Sequence, residues 1–144
     1  NNRQGMTAAE IVAQMMRHDA FSTWLGVEVL RAEPGHCILQ ARVRPEATNG
    51  FGIAHGGIAY SLADSALAFA SNGHGVHALS IETSISHLKP ASANDLLEVE
   101  AIEQHRSKTL GRYDVRVRCD GTEIAHFRGT VFFKDKPWTP EAHS

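Results

Sequence analysis

The sequence predicts an α+β fold in which a curved, mainly antiparallel sheet of about six strands wraps around one long central helix. The segment 57–71 is long enough for such a helix and is apolar on nearly every face, which is typical of a buried helix. Hydrophobic and polar residues then alternate through 78–89, 97–101, 113–119 and 122–133, as they do in half-buried strands. The short links between these segments favour antiparallel pairing.

An N-terminal helical arm over 6–25 precedes the sheet. Thr7 and Glu10 are spaced as a capping box, and a helical pattern of hydrophobic residues follows them. A second, shorter helical turn is expected to end at Gly26, because glycine readily adopts the left-handed conformation that closes a helix. The arm therefore consists of two short helices.

Two strands and a loop connect this arm to the central helix. The turn Pro34-Gly35 joins the strands. In the second strand every other residue from Cys37 to Val43 is apolar, so one face of that strand is buried. Pro45 ends it, because proline has no amide hydrogen to donate to a neighbouring strand.

The central helix is built mainly from alanine and serine, with only a few large side chains such as Leu62, Leu67 and Phe69. Small side chains allow a curved sheet to approach the helix backbone closely. Asp64 is the only acidic residue of the helix, and an uncompensated carboxylate is costly to bury. An aspartate in this position favours a functional role, with a solvated or hydrogen-bonded helix residue as the structural alternative.

The C-terminal part contains the last strand and a tail. Asp120-Gly121 is a hairpin signal that leads into the strand 122–133, and the tail 134–144 is polar. With 144 residues and no internal repeat, 1–144 is interpreted as a single domain.

The composition argues against several classes of protein. A formal net charge of -2 lacks the basic excess of nucleic-acid-binding proteins. Apolar runs fall short of the roughly 20 residues of a membrane-spanning helix, and the polar N-terminus does not resemble a signal peptide. We therefore expect neither nucleic acid nor membrane as a partner. The two cysteines are interpreted as free thiols, which suit a reducing cytoplasm.

Nine histidines raise the question of a metal site. Only His74 and His77 are closely spaced, and no third ligand lies near them in the sequence, so no metal site is expected. The glycine-rich stretches lack the Gly-Lys-Ser/Thr of a phosphate loop. The sequence thus predicts no metal ion and no other cofactor.

Three segments resemble a known family: NGFGIAHGG at 49–57, SLADSA at 61–66 and ISHLKPA at 85–91. With the order of elements over about residues 18–134, they resemble the hotdog-fold acyl-CoA thioesterases, and among these the PaaI-type phenylacetyl-CoA thioesterases. The spacing from the His-Gly-Gly at 55–57 to Asp64 is fairly specific for this branch.

The resemblance implies a hotdog fold and hydrolysis of phenylacetyl-CoA-type thioesters, aryl or hydroxylated aryl-acetyl, to the free acid and coenzyme A. It also implies a part in phenylacetate degradation, no cofactor, and a homo-oligomer of at least two chains, with dimers commonly paired into tetramers. The chain departs from the family at Asn94-Asp95, which affects a turn. It also departs at Ala68, where some relatives that use a glutamate as the acid carry a hydroxyl, so the positioning of water is left open.

Four residues are predicted to be catalytic: Asp64, Gly56, Asn49 and His55. An attacked thioester carbonyl becomes an oxyanion, and backbone N–H groups at a helix N-terminus stabilise such a charge. The helix begins at His55-Gly56-Gly57, where glycine allows a substrate to approach the backbone. Asp64 is the candidate base or nucleophile, and the sequence leaves both mechanisms open.

The resemblance implies roles for the polar residues around these positions. It puts His55 beside the thioester oxygen, makes Asn49 an amide that orients water or substrate, and gives Ser80 a hydroxyl near the acid. Each has a structural alternative: His55 as a hydrogen bond that fixes the loop, Asn49 as a turn residue before Gly50, and Ser80 as a surface serine.

Coenzyme A carries a pyrophosphate and a 3′-phosphate, so cations should line its entrance. The candidates are Lys89, Arg106 and Lys108, with Arg112 as a further one, because the strand ends 88–90 and 105–112 are expected to lie near the same edge. Ordinary surface charge is the alternative for each of them. Gly57 completes the substrate-binding residues.

The spacing of Gly56 and Asp64 predicts a dimer. Eight positions of straight helix separate them by about 12 Å, whereas both must lie within about 3.5 Å of one reacting carbon or its water. One chain therefore cannot supply both to the same carbonyl, but two chains with antiparallel helices can.

Two other functions remain open. One is a hotdog acyl-CoA hydratase or dehydratase, which needs a catalytic histidine paired with an acid at a spacing that 55–64 does not reproduce. The other is a non-catalytic acyl-CoA-binding hotdog, against which the joint presence of Asn49, His55 and Asp64 argues.

Overall fold

The computed structural model describes residues 5–142. Two helices, α1 and α2, open the chain, one long helix, α3, lies between the second and third strands, and six strands form the sheet. In chain order the elements are α1 (Ala8–His18), α2 (Ala20–Leu25), β1 (Glu28–Glu33), β2 (His36–Arg42), a 3₁₀ turn (Pro45–Ala47), α3 (Gly56–Asn72), β3 (Val76–His87), β4 (Leu96–Arg106), β5 (Leu110–Cys119) and β6 (Thr122–Pro137). The predicted α+β hotdog architecture is confirmed.

The strands form one sheet in the order β1-β2-β4-β5-β6-β3, and every neighbouring pair is antiparallel. The crossover through α3 places β3 beside β6, at one edge, and leaves β1 at the other edge. The register of β3 shifts at two places, between Val76 and Ala78 and between Ser80 and Glu82. Such bulges bend a strand and change the direction of its side chains.

Helix α3 packs against all six strands, so it is the centre of the core. Its small residues allow this contact: Ala63, Ala66 and Ala70 are fully buried. The sheet also contributes a glycine, Gly129 of β6, at the point where Leu67 of α3 crosses it. Small residues on both sides thus let the sheet close around the helix.

The N-terminal arm is fixed by local caps. Thr7 Oγ1 accepts a hydrogen bond from the Glu10 amide, and Glu10 Oε1 accepts one from the Thr7 amide, which completes the predicted capping box. Gly26 closes α2 at φ +79°. Within the described residues no helix combines the length and the hydrophobicity needed to cross a membrane, and both cysteines are free.

The predicted end of the last strand at residue 133 was wrong, because β6 extends to Pro137. The long strand β3 supplies partners for these additional residues, with Val76 opposite Pro137. The Trp138 amide then donates to the Gly75 carbonyl at 2.9 Å. The segment predicted as a polar tail from 134 onward therefore begins as part of the sheet.

The close contact at Gly129 leads to a stability prediction. A Cβ at this position would lie 2.6 Å from Leu67 Cδ2 and 3.3 Å from Phe127 Cε1, both in fully buried side chains. We expect Gly129→Ala to lower the free energy of unfolding by about 1–3 kcal/mol, because the packed core must shift to admit a methyl group. Urea denaturation measures this loss. Gly50→Ala is the control: a Cβ there meets no atom within 4 Å, so a loss as large as that of Gly129→Ala would contradict the packing explanation.

Candidate active site

The N-terminus of α3 is capped by His55. Its Nδ1 accepts a hydrogen bond from the Gly57 amide at 2.9 Å, and its own amide donates to the Ala47 carbonyl at 2.8 Å. Because Nδ1 accepts, the neutral ring carries its proton on Nε2. His55 therefore has the structural role considered above, and its exposed ring also has a free donor nitrogen.

The Gly56 amide is the free backbone donor at this helix end. Among the described residues nothing accepts a hydrogen bond from it. A Cβ at position 56 would lie 3.4 Å from the imidazole ring of His87, so glycine leaves room between the backbone and that ring. The Gly57 amide, in contrast, is already bonded to His55. A role for Gly57 in substrate binding stays a prediction.

Asn49 organises the loop that leads into α3. Its Oδ1 accepts from the Phe51 amide at 2.9 Å and from the Ile53 amide at 3.4 Å, and its own amide donates to the Ile53 carbonyl. The oxygen thus has the turn-forming role that the sequence left open. The side-chain Nδ2 donates to none of the described residues, so it is available to a ligand.

These residues line one cavity of about 330 Å³. Asn49, His55, Gly56, His87 and Lys89 all contribute to it, so the structure brings together three predicted catalytic residues and one predicted cation. His87 was not predicted. In the segment ISHLKPA, His87 lies two residues after Ile85 and two residues before Lys89. The only signal in the sequence was this alternation, because every second residue of a strand points to the same face.

Asp64 lies in a different cavity, of about 370 Å³. Ser80 of β3 lines the same cavity, so the predicted hydroxyl and the predicted acid are neighbours. Ala68, the position without a hydroxyl, also lines this cavity. Other walls come from Trp138 and His77, neither of which was predicted as a site residue.

The environment of Asp64 raises the pKa of its carboxyl above the usual range. Partial burial is the larger cause, and repulsion from the carboxylate of Asp19 is the smaller one. Asp19 itself caps α2 by accepting from the Ser22 amide and hydroxyl, and the Ser22 hydroxyl contacts that of Ser65 at 2.8 Å. A carboxylate with a raised pKa is a stronger base at neutral pH than an ordinary aspartate.

The two cavities share none of their lining residues. Gly56 and Asp64 belong to the same uninterrupted helix, eight residues and about 12 Å apart along its axis. Within one chain, the free amide and the acid therefore form two separate halves of a site, which we call the amide half and the acid half.

The prediction that the candidate cations lie near one edge was wrong within a single chain. Lys89 follows the end of β3 and lies beside the start of β6. The start of β5 lies at the other end of β3, because Gly111 pairs with Val131 of β6 and Val131 pairs with Ser80 of β3. Arg106, Lys108 and Arg112 consequently lie at the opposite end of the sheet, with the acid half. Only the strand register reveals this, because the crossover through α3 reverses the expected order.

Among the described residues no three histidine, cysteine, aspartate or glutamate side chains are grouped as metal ligands would be. His74 bonds instead to Glu103, with Nε2 2.7 Å from Oε1, and the Tyr113 hydroxyl donates to the same oxygen at 2.8 Å. His74, in the turn after α3, thus belongs to a partly buried polar cluster with Glu103 of β4 and Tyr113 of β5.

Comparison with known proteins gives a consistent result. The model of the thioesterase superfamily matches residues 51–126. The chain is 34% identical over 116 residues to the acyl-coenzyme A thioesterase PaaI of Escherichia coli, covering 80% of this chain and 83% of that protein. The structure of E. coli PaaI, from the phenylacetic acid degradation operon, superposes with a TM-score of 0.88 over 90% of this chain and 95% of that one, at 30% identity. The smu.793 protein of Streptococcus mutans, bound to acetyl-CoA, superposes with a TM-score of 0.75 at 28% identity, over 78% of this chain and 91% of that one.

The raised pKa of Asp64 predicts how its replacement changes stability with pH. The unfolded chain ionises near the ordinary value of about 4, so between that pH and the raised pKa the folded state binds more protons. The free energy of unfolding falls as pH rises through this window and stays lower above it. Asp64→Asn removes the charge, so its thermal midpoint should exceed that of the wild type at pH 7, by about 2–4 °C for each kcal/mol relieved.

Thermal melts between pH 3.5 and 8 test this, and the difference between the two proteins should shrink as the pH falls toward about 4. Asp120→Asn is the matched control, because Asp120 is an exposed turn residue at φ 50° that asparagine can replace. A lower midpoint for Asp64→Asn at pH 7, with Asp120→Asn unchanged, would mean that Asp64 is a structural carboxylate.

Proposed function

The chain belongs to the thioesterase superfamily, and on that premise we propose that it is an acyl-CoA thioesterase that hydrolyses phenylacetyl-CoA-type thioesters to the free acid and coenzyme A. The observation that carries the proposal is the pair of half-sites on α3. A free backbone amide lies at the helix N-terminus, and a half-buried carboxylate with a raised pKa lies two turns further along. These are the two groups that addition of water to a thioester needs.

The amide half stabilises negative charge on the carbonyl oxygen. The Gly56 N–H points out of the positive end of the helix dipole and is free to donate to an oxyanion. His55 Nε2–H is a second donor, because its ring is oriented by the bond from Gly57 to Nδ1. The Asn49 amide nitrogen lines the same cavity and is available to orient substrate or water.

The acid half supplies the base or the nucleophile. As base, Asp64 takes a proton from water while the water oxygen adds to the carbonyl carbon. Collapse of the adduct breaks the C–S bond, and the proton passes to the leaving thiolate of coenzyme A. As nucleophile, the Asp64 carboxylate itself adds to the carbonyl carbon, and collapse of the adduct breaks the C–S bond, so that the thiolate of coenzyme A leaves and a mixed anhydride forms. Water then hydrolyses the anhydride, which releases the acid and restores Asp64, and the proton released from water passes to the thiolate. The Ser80 hydroxyl in the same cavity can hold the water at a site where Ala68 offers none.

The complete site requires two chains, related by a two-fold axis. Tyr60 lies midway between Gly56 and Asp64 along α3, and Thr83 lies close to the midpoint between Ser80 and His87 along β3. The Tyr60 hydroxyl bonds to the Thr83 hydroxyl at 2.5 Å, so the two midpoints are adjacent. An axis through this point brings the amide half of each chain to the acid half of its partner.

The edge strand β3 has the surface for such a dimer. Leu79 and Ile81 are 54% and 60% exposed on it, and its outer backbone groups have no partner strand within the described chain. Pairing of two β3 strands would cover both features. We further propose that the dimers pair into tetramers, as the resemblance implies.

The same symmetry accounts for the separated cations. In a dimer, Lys89 of one chain lies beside the end of the partner that carries Arg106, Lys108 and Arg112, so both sets can face the phosphates of one coenzyme A. The preference for phenylacetyl or hydroxylated phenylacetyl groups, and a part in phenylacetate degradation, are supported by the similarity to E. coli PaaI. A cytoplasmic location is proposed as well, in keeping with two free thiols.

The first test is hydrolysis itself. The purified protein should release free thiol from phenylacetyl-CoA faster than from long-chain acyl-CoA. Asp64→Asn, which keeps the size of the side chain but not its charge, should lose at least about 10²-fold in kcat with little change in KM, because the charge acts in the transition state. Thiol release from no aryl or short acyl-CoA would leave the acyl-CoA-binding alternative, and hydration of an enoyl-CoA without thiol release would favour the hydratase.

The second test concerns the shared site. Asp64→Ala and Gly56→Pro should each be inactive alone, and co-refolded mixtures should recover up to about a quarter of the wild-type activity, because half of the dimers are hybrids with one intact site. Proline suits position 56, since this is the first residue of α3 and His55 before it is extended, at ψ 138°. It removes the amide hydrogen but also adds a ring, whose Cβ would lie 3.4 Å from the imidazole of His87, so circular dichroism checks the fold.

A mixture of Asp64→Ala with Asp64→Asn is the matched control, because no pairing of these chains contains an acid. Activity in that control, or properly folded hybrids of the first mixture that remain inactive, would contradict a site shared between chains.

A further inference from the structure

The acid half extends into an apolar cavity that suits an acyl group. Leu67, Leu79 and Val131 line it together with Trp138, and the residues that line it include neither lysine nor arginine. Phosphates of coenzyme A would find no cation there. If the reaction is the proposed hydrolysis, the acyl group of the thioester therefore extends into this cavity from a carbonyl carbon that lies near Asp64.

Trp138 lines this cavity beside Asn72, the last residue of α3. Its Nε1–H donates to Asn72 Oδ1 at 3.0 Å. Asn72 follows Asp64 by eight residues, about 12 Å along α3 and in the direction away from Gly56. An acyl group that extends from the reacting carbonyl past Asp64 would thus meet the indole of Trp138.

Asn72 holds the indole in a fixed position. This side chain is 3% exposed and all its polar atoms are bonded: Oδ1 also accepts from the Ala78 amide at 2.9 Å, and Nδ2 donates to the Ala68 and Ala78 carbonyls. It therefore ties the end of α3, the start of β3 and the indole together. The Trp138 amide adds a bond to the Gly75 carbonyl.

His77 supports one face of the indole. The two rings stack with their centroids 4.0 Å apart and their planes 7° from parallel. His77 lies at the first register shift of β3, a bulge that turns its side chain toward Trp138. Burial, and then the charges of Lys136 and Lys134, lower the pKa of His77, so its ring is neutral at neutral pH.

The segment after Trp138 is anchored to α1. Gln14 Nε2 donates to the Thr139 carbonyl at 3.2 Å, and Arg17 pairs with Glu141 at 3.2 Å. Met15, from the same helix, lines the cavity. The segment that carries Trp138 is therefore held both by the end of α3 and by α1.

We propose that Trp138 is the specificity-determining residue of the acyl cavity, where its fixed indole stacks on an aromatic acyl group and blocks acyl chains that extend beyond it. A flat ring gains from stacking, which corresponds to about 2–10-fold in binding. A long alkyl chain meets a wall that cannot move without breaking the bond to Asn72. This inference rests on the proposed function and adds to it the residue that selects the substrate.

Variants at position 138 test the selection. We expect Trp138→Ala to lower the ratio of kcat/KM for phenylacetyl-CoA over dodecanoyl-CoA by at least about 10-fold, since it removes both the stacking and the block. Trp138→Phe retains a flat ring and should keep the ratio within about threefold of the wild type. Trp24→Ala is the matched control, because Trp24 is the other tryptophan and lies exposed on α2 beneath Arg44. Its ratio should not change.

An unchanged ratio in folded Trp138→Ala overturns the inference, as does a wild-type protein that prefers dodecanoyl-CoA. If wild-type protein releases thiol from no acyl-CoA, it is the proposed function that fails, and the cavity can still be tested by binding. Trp24→Phe leaves Trp138 as the only fluorophore of its type. Titration of Trp24→Phe with phenylacetate should change the Trp138 emission in a saturable way. The same change is expected in the double variant Trp24→Phe/Asp64→Asn. Titration with dodecanoate should cause no such change.

This binding assay does not depend on whether Trp138→Ala folds. Trp138 emission that is unaffected by phenylacetate, under conditions where equilibrium dialysis shows the acid bound, would place the ring elsewhere and overturn the inference.

Discussion

The fixed rise of α3 is the constraint on which the rest of the structure depends. A helix advances about 1.5 Å per residue whatever its sequence, so the free amide of Gly56 and the carboxylate of Asp64 are held apart as firmly as any two groups in the protein. The small residues of the helix allow six strands to pack around it, and this packing prevents α3 from bending to bring the two groups together. A second chain is therefore the simplest way to complete the site, and the exposed edge of β3 is where the fold provides room for it.

Much of this could be predicted from the sequence, because the relevant signals are local. The capping box of α1, the length of α3 and the alternation of the strands each involve neighbouring residues, and so does the eight-residue spacing that separates the half-sites. The separation of Gly56 from Asp64 can be predicted without tertiary information, since helix geometry alone sets the distance between them.

The remaining features depend on register and pairing, which local patterns do not determine. The cations were misplaced because the crossover through α3 puts β3 beside β6, so that Lys89 and Lys108 lie at opposite ends of one sheet. The end of β6 was misplaced because a polar stretch became a strand once β3 offered it partners. His87 and Trp138 join the candidate site only through tertiary proximity, His87 to Gly56 and Trp138 to Asn72.

The residues proposed for the chemistry and those proposed to select the substrate come from different parts of the chain. Gly56, Asp64 and Ser80 lie within the region 51–126 that matches the thioesterase superfamily. Trp138 and Met15 lie outside it, directly after β6 and on α1 respectively. The proposed reacting groups are fixed by one helix and the strand beside it, so they tolerate little variation in geometry. The proposed acyl cavity includes residues from near both ends of the described chain, which meet through Gln14 and Thr139. A change in those terminal segments can therefore reshape the proposed acyl cavity while the helix that carries the proposed catalytic groups stays as it is.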